Sequence, residues 1–200
     1  MTKSQLIELV KQKLGWKFGD RTISLHIENA WNQVVGQLFI NDSHQLDFYT
    51  KTYTDVAVVD EVPRKYSLLP VRTIQYKDAG NGVRRIHTDC DEQLVFVPMR
   101  GMDIQIFSEL DAGRVADDIT GYLVKTDRVE YFGIIDDITT VRMDIVPAFS
   151  AWSDSDDIPM PEGVAESIYG LVLKATAGEN LPSDFNIFKD QAQIADNVED

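Results

Sequence analysis

The sequence predicts an α+β fold, and two changes of hydrophobic period lead to that prediction. Apolar residues recur at spacings of three and four near the start of the chain and again in residues 162–177, which is the period of an amphipathic helix. From Leu46 to about residue 150, short apolar runs alternate with polar residues, which is typical of strands. We therefore expect helices at both ends of the chain and a β-rich segment inserted between them.

Two helices are predicted at the beginning of the chain. The first spans residues 5–14, with Ser4 as a candidate N-cap, and the second spans about 24–39. Residues 16–21 are expected to connect them. Each helix has one apolar face, which the first builds from Leu6, Ile7, Leu9, Val10 and Leu14 and the second from Ile27, Trp31, Val34, Val35 and Leu38.

Short strands are predicted between the helices, separated by Gly, Asp or Pro. They begin with Phe48 and continue over residues 52–59, 66–69, 71–76, 83–88, 93–98, 104–107, 121–126, 129–133 and 140–147. Asp78 to Gly82 contains Gly and Asn, which tolerate positive φ, and predicts a hairpin between 73–77 and 83–88. Thr126-Asp127-Arg128 predicts a second tight turn. Strands of this number and length favour a small antiparallel barrel or sandwich.

The last predicted helix, 162–177, is apolar over much of its circumference. No charged residue occurs between Glu166 and Lys174. One face is formed by Val164, Ile168, Leu171, Val172 and Ala175, and a second stripe by Ala165, Tyr169, Leu173 and Thr176. A helix of this kind must be covered on more than one side. Two interpretations stay open: a buried core helix, or a helix shared between its own core and a neighbouring subunit.

These elements predict three parts. Residues 1–45 and 158–178 form a helical bundle, residues 46–150 form the β-rich module, and residues 179–200 form an acidic C-terminal arm. The arm is polar and weakly periodic, which is typical of an extended segment. Its few apolar positions are Phe185, Ile187, Phe188 and Ile194.

The charge of the chain limits its partners. The formal net charge is −14, and residues 151–200 hold 11 acidic and 2 basic side chains against 22 and 17 in residues 1–150. This excess argues against nucleic acid or an anionic membrane as the main binding partner, because phosphate is neutralised by bases. No apolar run reaches transmembrane length, and the first residues lack a signal-peptide pattern, so a soluble, cytosolic protein is expected.

Few residues suggest chemistry. Cys90 is the single cysteine, and His87 with Cys90 could form a thiol–imidazole pair, although the sequence marks no third group to orient it. Asp154, Asp156 and Asp157 begin like a calcium loop that then has Pro159 where glycine is needed. No phosphate-binding loop or nucleophile elbow occurs. We therefore predict no catalytic, metal or cofactor site, and a structural or interaction protein.

One stretch of the sequence carries a family resemblance. A late strand ends in Val146-Pro147-Ala148-Phe149, and an acidic linker, Ile158-Pro159-Met160-Pro161-Glu162, then introduces the long apolar helix. With the paired N-terminal helices and the β-rich middle, this resembles the head-to-tail connector (adaptor or ring) proteins of tailed phages, above all the ring proteins of crAss-like short-tailed phages. Residues 95–101 also resemble a Pro-Met-Arg-Gly stretch of those proteins. The likeness is scattered over most of the chain and is specific in residues 146–175.

The resemblance implies a virion structural protein without chemistry or cofactor. Such adaptors assemble in the bacterial cytoplasm into a ring of identical subunits, typically twelvefold, beneath the portal. Their partners are further copies, the portal, other tail or ring proteins, and phage DNA that passes through the channel without specific binding; no membrane is involved. Subunit or portal contacts are expected at Val164, Ile168, Leu171, Val172, Phe185, Ile187 and Phe188. The alternatives are another tail or baseplate component, and a small hydrolase using His87 and Cys90.

Overall fold

The structure is a computed structural model, and it describes residues 1–14, 18–41, 44–61, 64–75, 82–88, 94–99, 119–132, 138–161 and 163–177. The chain divides into two compact units. The helical unit combines Met1–Tyr49 with Ala148–Asp200, and the strand unit is Thr50–Pro147. The predicted α+β class is confirmed. Of the two predicted architectures, a barrel or a sandwich, the barrel is wrong, because the described strands form two separate sheets.

Three described helices build the helical unit: α1 (Lys3–Leu14), α2 (Asp20–Asn41) and α3 (Val164–Thr176). α2 packs against both α1 and α3, and α1 also contacts α3. α2 begins before the predicted residue 24, so Asp20 and Arg21 belong to the helix and not to the connection. Asp20 suits this position because its carboxylate faces the positive end of the helix dipole and pairs with Lys11.

An aromatic cluster forms the centre of the helical unit. The ring of Trp31 on α2 is fully buried and lies 5.3 Å from Tyr49, 5.9 Å from Phe149 and 6.3 Å from Trp152, measured between ring centroids. Tyr49 ends the 3-10 helix Gln45–Tyr49, and Phe149 begins the 3-10 helix Phe149–Ala151. The strand predicted at Phe48 is therefore wrong, since this exposed side chain lies in the first of those turns.

Gly163 and Gly170 differ in whether their backbone conformation suits a residue with a side chain. Gly163 precedes α3 with φ of +84°, a left-handed conformation that favours glycine, whereas Gly170 lies inside α3. A Cβ atom added at either position would meet no atom within 4 Å.

Gly170→Ala is expected to raise the free energy of unfolding by about 0.5–1 kcal/mol, because alanine restricts the unfolded chain and fits the helix without a clash. Gly163→Ala is the matched control. It is equally uncrowded, but its left-handed backbone should lower the same free energy by about 1–2 kcal/mol. Urea unfolding followed by tryptophan fluorescence measures both variants. A Gly170→Ala variant no more stable than the wild type would contradict this account of α3.

Seven described strands build the strand unit, in two sheets. β1 (Lys51–Ala57), β7 (Thr140–Ile145) and β3 (Val83–His87) form an antiparallel sheet in the order β1-β7-β3. The second sheet has the order β2-β6-β5-β4, in which β4 is parallel to β5. Its strands are β2 (Tyr66–Leu68), β6 (Arg128–Phe132), β5 (Ile119–Val124) and β4 (Val95–Pro98).

Both sheets contribute to one hydrophobic core. Its buried members are Ile86, Tyr122, Val129, Tyr131, Val141, Met143 and Ile145. The alternate residues of β6 and β7 therefore point inward, as the period of two predicts. The hydroxyl of Tyr131 donates a hydrogen bond to Ser67 Oγ at 3.0 Å, and burial raises the pKa of Tyr131 to about 12.

The hairpin predicted between 73–77 and 83–88 is wrong. β3 pairs with β7, and within residues 71–75 only an isolated bridge from Thr73 to Pro147 is formed. Val146 supplies the connection, because its carbonyl accepts from the Ile74 amide at 3.2 Å and its amide donates to the Gly82 carbonyl at 2.8 Å. Val146, which is distant in the sequence, thus takes the place of the hairpin strand that was predicted to pair with residues 73–77. The turn between β5 and β6 is confirmed, with the Lys125 amide donating to the Arg128 carbonyl at 2.7 Å. The predicted strand 104–107 lies outside the described residues.

Candidate functional site

The predicted contact residues of α3 lie in different environments. Ile168, Leu171 and Val172 are buried in the core of the helical unit, where α3 contacts α1 and α2. Val164 is half-buried and Leu173 is exposed. A subunit contact along α3 would therefore have to use its outer side. The predicted arm contacts, Phe185, Ile187 and Phe188, lie outside the described residues.

The acidic loop before α3 forms hydrogen bonds and an ion pair with the first three residues of the chain. Lys3 Nζ donates to the Trp152 carbonyl at 2.8 Å and lies 3.7 Å from Asp154 Oδ1. The Ile158 amide donates to the Met1 carbonyl at 2.9 Å. Asp156 accepts from the hydroxyl of Ser153 at 2.6 Å. The loop carboxylates thus serve local hydrogen bonds and ion pairs. Within the described part of the chain, no three His, Cys, Asp or Glu side chains gather into a cluster that could hold a metal ion.

A histidine–carboxylate pair lies on the first sheet. His87 Nε2 on β3 is 3.2 Å from Asp144 Oδ2 on β7, and the hydroxyl of Thr52 on β1 donates to Asp144 Oδ1 at 2.7 Å. The carboxylate fixes the imidazole, which is how a general base is oriented. Among the described residues no hydroxyl is hydrogen-bonded to the imidazole itself, and Cys90 lies outside them. Sequence reasoning singled out His87 but missed Asp144.

A buried carboxylate with three cations lies on the outer face of the second sheet. Glu130 on β6 is 8% exposed, and its Oε1 is 2.8 Å from Arg128 Nη2. Its Oε2 lies 3.7 Å from Lys125 Nζ and 4.0 Å from Arg64 Nη1. We call Arg64, Lys125 and Arg128 the cation cluster. Lys125 lies in the turn between β5 and β6, Arg128 begins β6, and Arg64 lies two residues before β2.

Aromatic rings support both arginines of the cation cluster. The guanidinium of Arg64 lies 4.4 Å from the ring centroid of Phe132, and that of Arg128 lies 5.1 Å from the centroid of Tyr66. A hydrogen bond with Glu61 raises the pKa of Tyr66. An acidic side chain therefore also lies beside the aromatic ring that contacts Arg128. All three cations remain half-exposed. They can therefore still donate hydrogen bonds to an incoming anionic group.

Apolar side chains surround the cation cluster on the same outer face. Leu68 is opposite Arg128 in the pairing of β2 with β6, and Val97 is opposite Gly121 in the pairing of β4 with β5. Leu68, Val95 and Val97 are 57%, 52% and 37% exposed. This face was not predicted from the sequence. The alternation of Arg128, Glu130 and Phe132 was a signal for it, but the cross-strand neighbours of β6 could not be read from β6 alone.

No described helix is long and apolar enough to cross a membrane. Neither protein-family models nor curated proteins yield a match to this sequence. Two arrangements therefore stand as candidate functional sites. One is the histidine–carboxylate pair on the first sheet, which could orient a base. The other is the outer face of the second sheet, which combines exposed apolar side chains with cations and is suited to binding a protein segment.

Proposed function

We propose that the protein is a virion structural protein, a subunit of the head-to-tail connector ring that joins the portal to the tail of a phage. The observation that carries the proposal is the run from Val146 to α3, where the family resemblance is most specific. Its apolar members Phe149, Trp152 and Ile158 are buried in the helical unit, and Asp154 and Asp157 are exposed in the loop before α3. The buried residues therefore attach this run to the core of the helical unit.

The outer face of the second sheet also supports a structural role. A ring forms when one surface of a subunit binds a different surface of the next, so each subunit must present two unlike faces. The exposed combination of Leu68, Val95, Val97 and the cation cluster suits one such face. We propose that the helices α1, α2 and α3 form the bundle at the channel, and that the acidic chain lets DNA pass without binding it, since phosphate binding needs bases. No cofactor is required.

The first test is the mass of the purified protein in solution, alone and with candidate portal protein. A twelvefold ring would weigh roughly 270 kDa, twelve times the chain mass of 22.6 kDa. We expect either such a species or a monomer that becomes a ring on the portal. A stable monomer that ignores the portal would contradict the proposal and would indicate another tail or baseplate component.

Deletion of residues 180–200 is expected to leave the helical unit folded and to abolish incorporation into the virion. The triple variant Phe185→Ala, Ile187→Ala, Phe188→Ala should have the same effect if these side chains anchor the segment on a partner. Its matched control replaces polar neighbours instead: Asn186→Ala, Gln191→Ala and Gln193→Ala. Quantitative mass spectrometry of purified virions measures incorporation. Virions that contain normal amounts of the deleted chain would refute the role of this segment.

The histidine–carboxylate pair favours a second candidate, a small hydrolase in which Asp144 orients His87 and Cys90 is the nucleophile. His87→Ala and Cys90→Ala distinguish the two functions. Loss of an esterase or peptidase activity in both variants, with Arg85→Ala on the same strand as the active control, would support the hydrolase. Normal assembly of both variants, without any activity in the wild type, would support the connector.

A further inference from the structure

We propose that the outer face of the second sheet binds the acidic segment 179–200 of another copy of the chain. The cation cluster would bind its carboxylates, and the apolar side chains beside the cluster would bind its apolar residues. This contact would be one interface between neighbouring subunits, so it rests on the proposed ring assembly. It identifies which surface of one copy receives which segment of the next.

The cation cluster is already arranged to receive a carboxylate. Glu130 holds Arg64, Lys125 and Arg128 within 2.8 to 4.0 Å of its own carboxylate, and Phe132 and Tyr66 lie against the two guanidinium groups. A guanidinium has five N–H donors, and a single carboxylate uses only some of them. Because the side chains are already positioned, a second carboxylate would bind them at a smaller cost in conformational entropy.

The apolar half of the contact is visible in the distribution of exposed side chains. Eight large apolar side chains are exposed in the described part of the chain, and three of them, Leu68, Val95 and Val97, lie on this one face. Exposed apolar side chains gathered on one face of a sheet mark an interaction surface. Segment 179–200 offers Phe185, Ile187 and Phe188 together with six acidic and one basic residue. Both properties of the face therefore have a counterpart in the segment.

Nearby acids favour a protein segment over nucleic acid. Glu61 and Asp127 both act on Tyr66 and raise its pKa, and Glu130 lies within the cation cluster. These carboxylates offset part of the positive charge of the cation cluster. A phosphate backbone carries one negative charge on each nucleotide, so it would be repelled by these acids along its length. Segment 179–200 has its carboxylates separated by apolar and neutral residues. It can place single carboxylates at the cations and apolar groups elsewhere.

Cross-linking of the full-length protein tests the contact. A carbodiimide joins a lysine amine to a carboxylate without a spacer, and Lys125 is the only lysine of the cation cluster. Chains of natural isotope composition are mixed with ¹⁵N-labelled chains and assembled, with portal protein if the chain alone stays monomeric. We expect mixed-isotope links from Lys125 to Asp184 or Asp190. The link from Lys125 to Glu130 within one copy, whose atoms lie 3.7 Å apart, reports that the amine is reactive.

Two outcomes separate this contact from the proposed function. If a ring forms and Lys125 links only to Glu130, the contact is wrong and the connector function stands. If no ring forms on any portal but mixed-isotope links to segment 179–200 appear in a smaller oligomer, the contact stands and the connector function is wrong. Links from Lys125 to the segment within the same copy only would also overturn the proposed contact between copies.

Binding measurements provide an independent test. A fluorescent peptide of residues 179–200 is titrated with the full-length protein, and anisotropy gives the Kd. Lys125→Ala should weaken binding about tenfold through the loss of one charge-assisted hydrogen bond. Arg72→Ala, an exposed cation of the same unit, is the matched control and should leave the Kd unchanged. Equal Kd values for Lys125→Ala and the wild type, or Lys125-dependent binding of duplex DNA but not of the peptide, would overturn the inference.

Discussion

Replacing Trp31 with alanine is expected to lower the free energy of unfolding of the helical unit by about 3–5 kcal/mol, the usual range for a large aromatic side chain in a core. The indole is fully buried and contacts the rings of Tyr49, Phe149 and Trp152. Alanine would leave a cavity bordered by all three. Since these rings come from two different segments, residues 45–49 and 149–152, the cavity cannot be closed by the shift of a single element.

Urea unfolding with tryptophan fluorescence measures this loss selectively. Trp152 belongs with Trp31 to the helical unit and is buried, so the signal of the variant still reports that unit. Leu25→Ala is the matched control on the same helix. Its side chain is 60% exposed, and the free energy of unfolding should change by no more than about 0.5 kcal/mol. Equal losses for the two variants would show that Trp31 does not centre the core.

Gly82→Ala is expected to destabilise the strand unit by about 2–5 kcal/mol, from two separate causes. The φ of Gly82 is +69°, a left-handed conformation that costs an L-residue about 1–2 kcal/mol. A Cβ atom there would also lie 2.9 Å from the carbonyl oxygen of Val146 and 3.1 Å from side-chain atoms of Thr73 and Ile74. Overpacking of this kind costs about 1–3 kcal/mol more.

Gly163→Ala separates the two causes. Gly163 has a similar φ of +84°, but a Cβ atom there would meet no neighbour within 4 Å. The loss of free energy of unfolding in Gly163→Ala therefore comes only from the left-handed backbone conformation. The strand unit contains no tryptophan, so its unfolding is followed by near-ultraviolet circular dichroism of its tyrosines. If Gly82→Ala costs no more than Gly163→Ala, the close approach of Val146 is not a packing constraint.

Hydrophobic period predicted the helices well because it is a local property. Leu6, Val10 and Leu14 of α1 lie on one predicted face, and all three are buried. The same period could not tell whether α3 faces its own unit or another subunit. The structure buries Ile168, Leu171 and Val172 against the chain's own helices, while the role of α3 in an assembly stays a prediction.

Strand partners were harder to predict because pairing depends on residues far apart in the chain. A favourable turn at 78–82 suggested a local hairpin, yet β3 pairs with β7. The pair of His87 with Asp144 spans 57 residues, and Arg64 reaches Glu130 from before β2. Period shows which side chains share a face of one strand. It does not show which strand lies beside it, so neither candidate site could be assembled from the sequence.

The division of the chain has a consequence for its synthesis on the ribosome. The strand unit is one uninterrupted stretch, whereas α1 and α2 are separated from Phe149, Trp152 and α3 by the whole of Thr50–Pro147. At about 5–20 residues per second, the strand unit takes roughly 5–20 s to emerge. During this time α1 and α2 can contact each other, but they lack α3, Phe149 and Trp152. The first part of the chain to be made is therefore the last to complete its core, and it depends most on protection while translation continues.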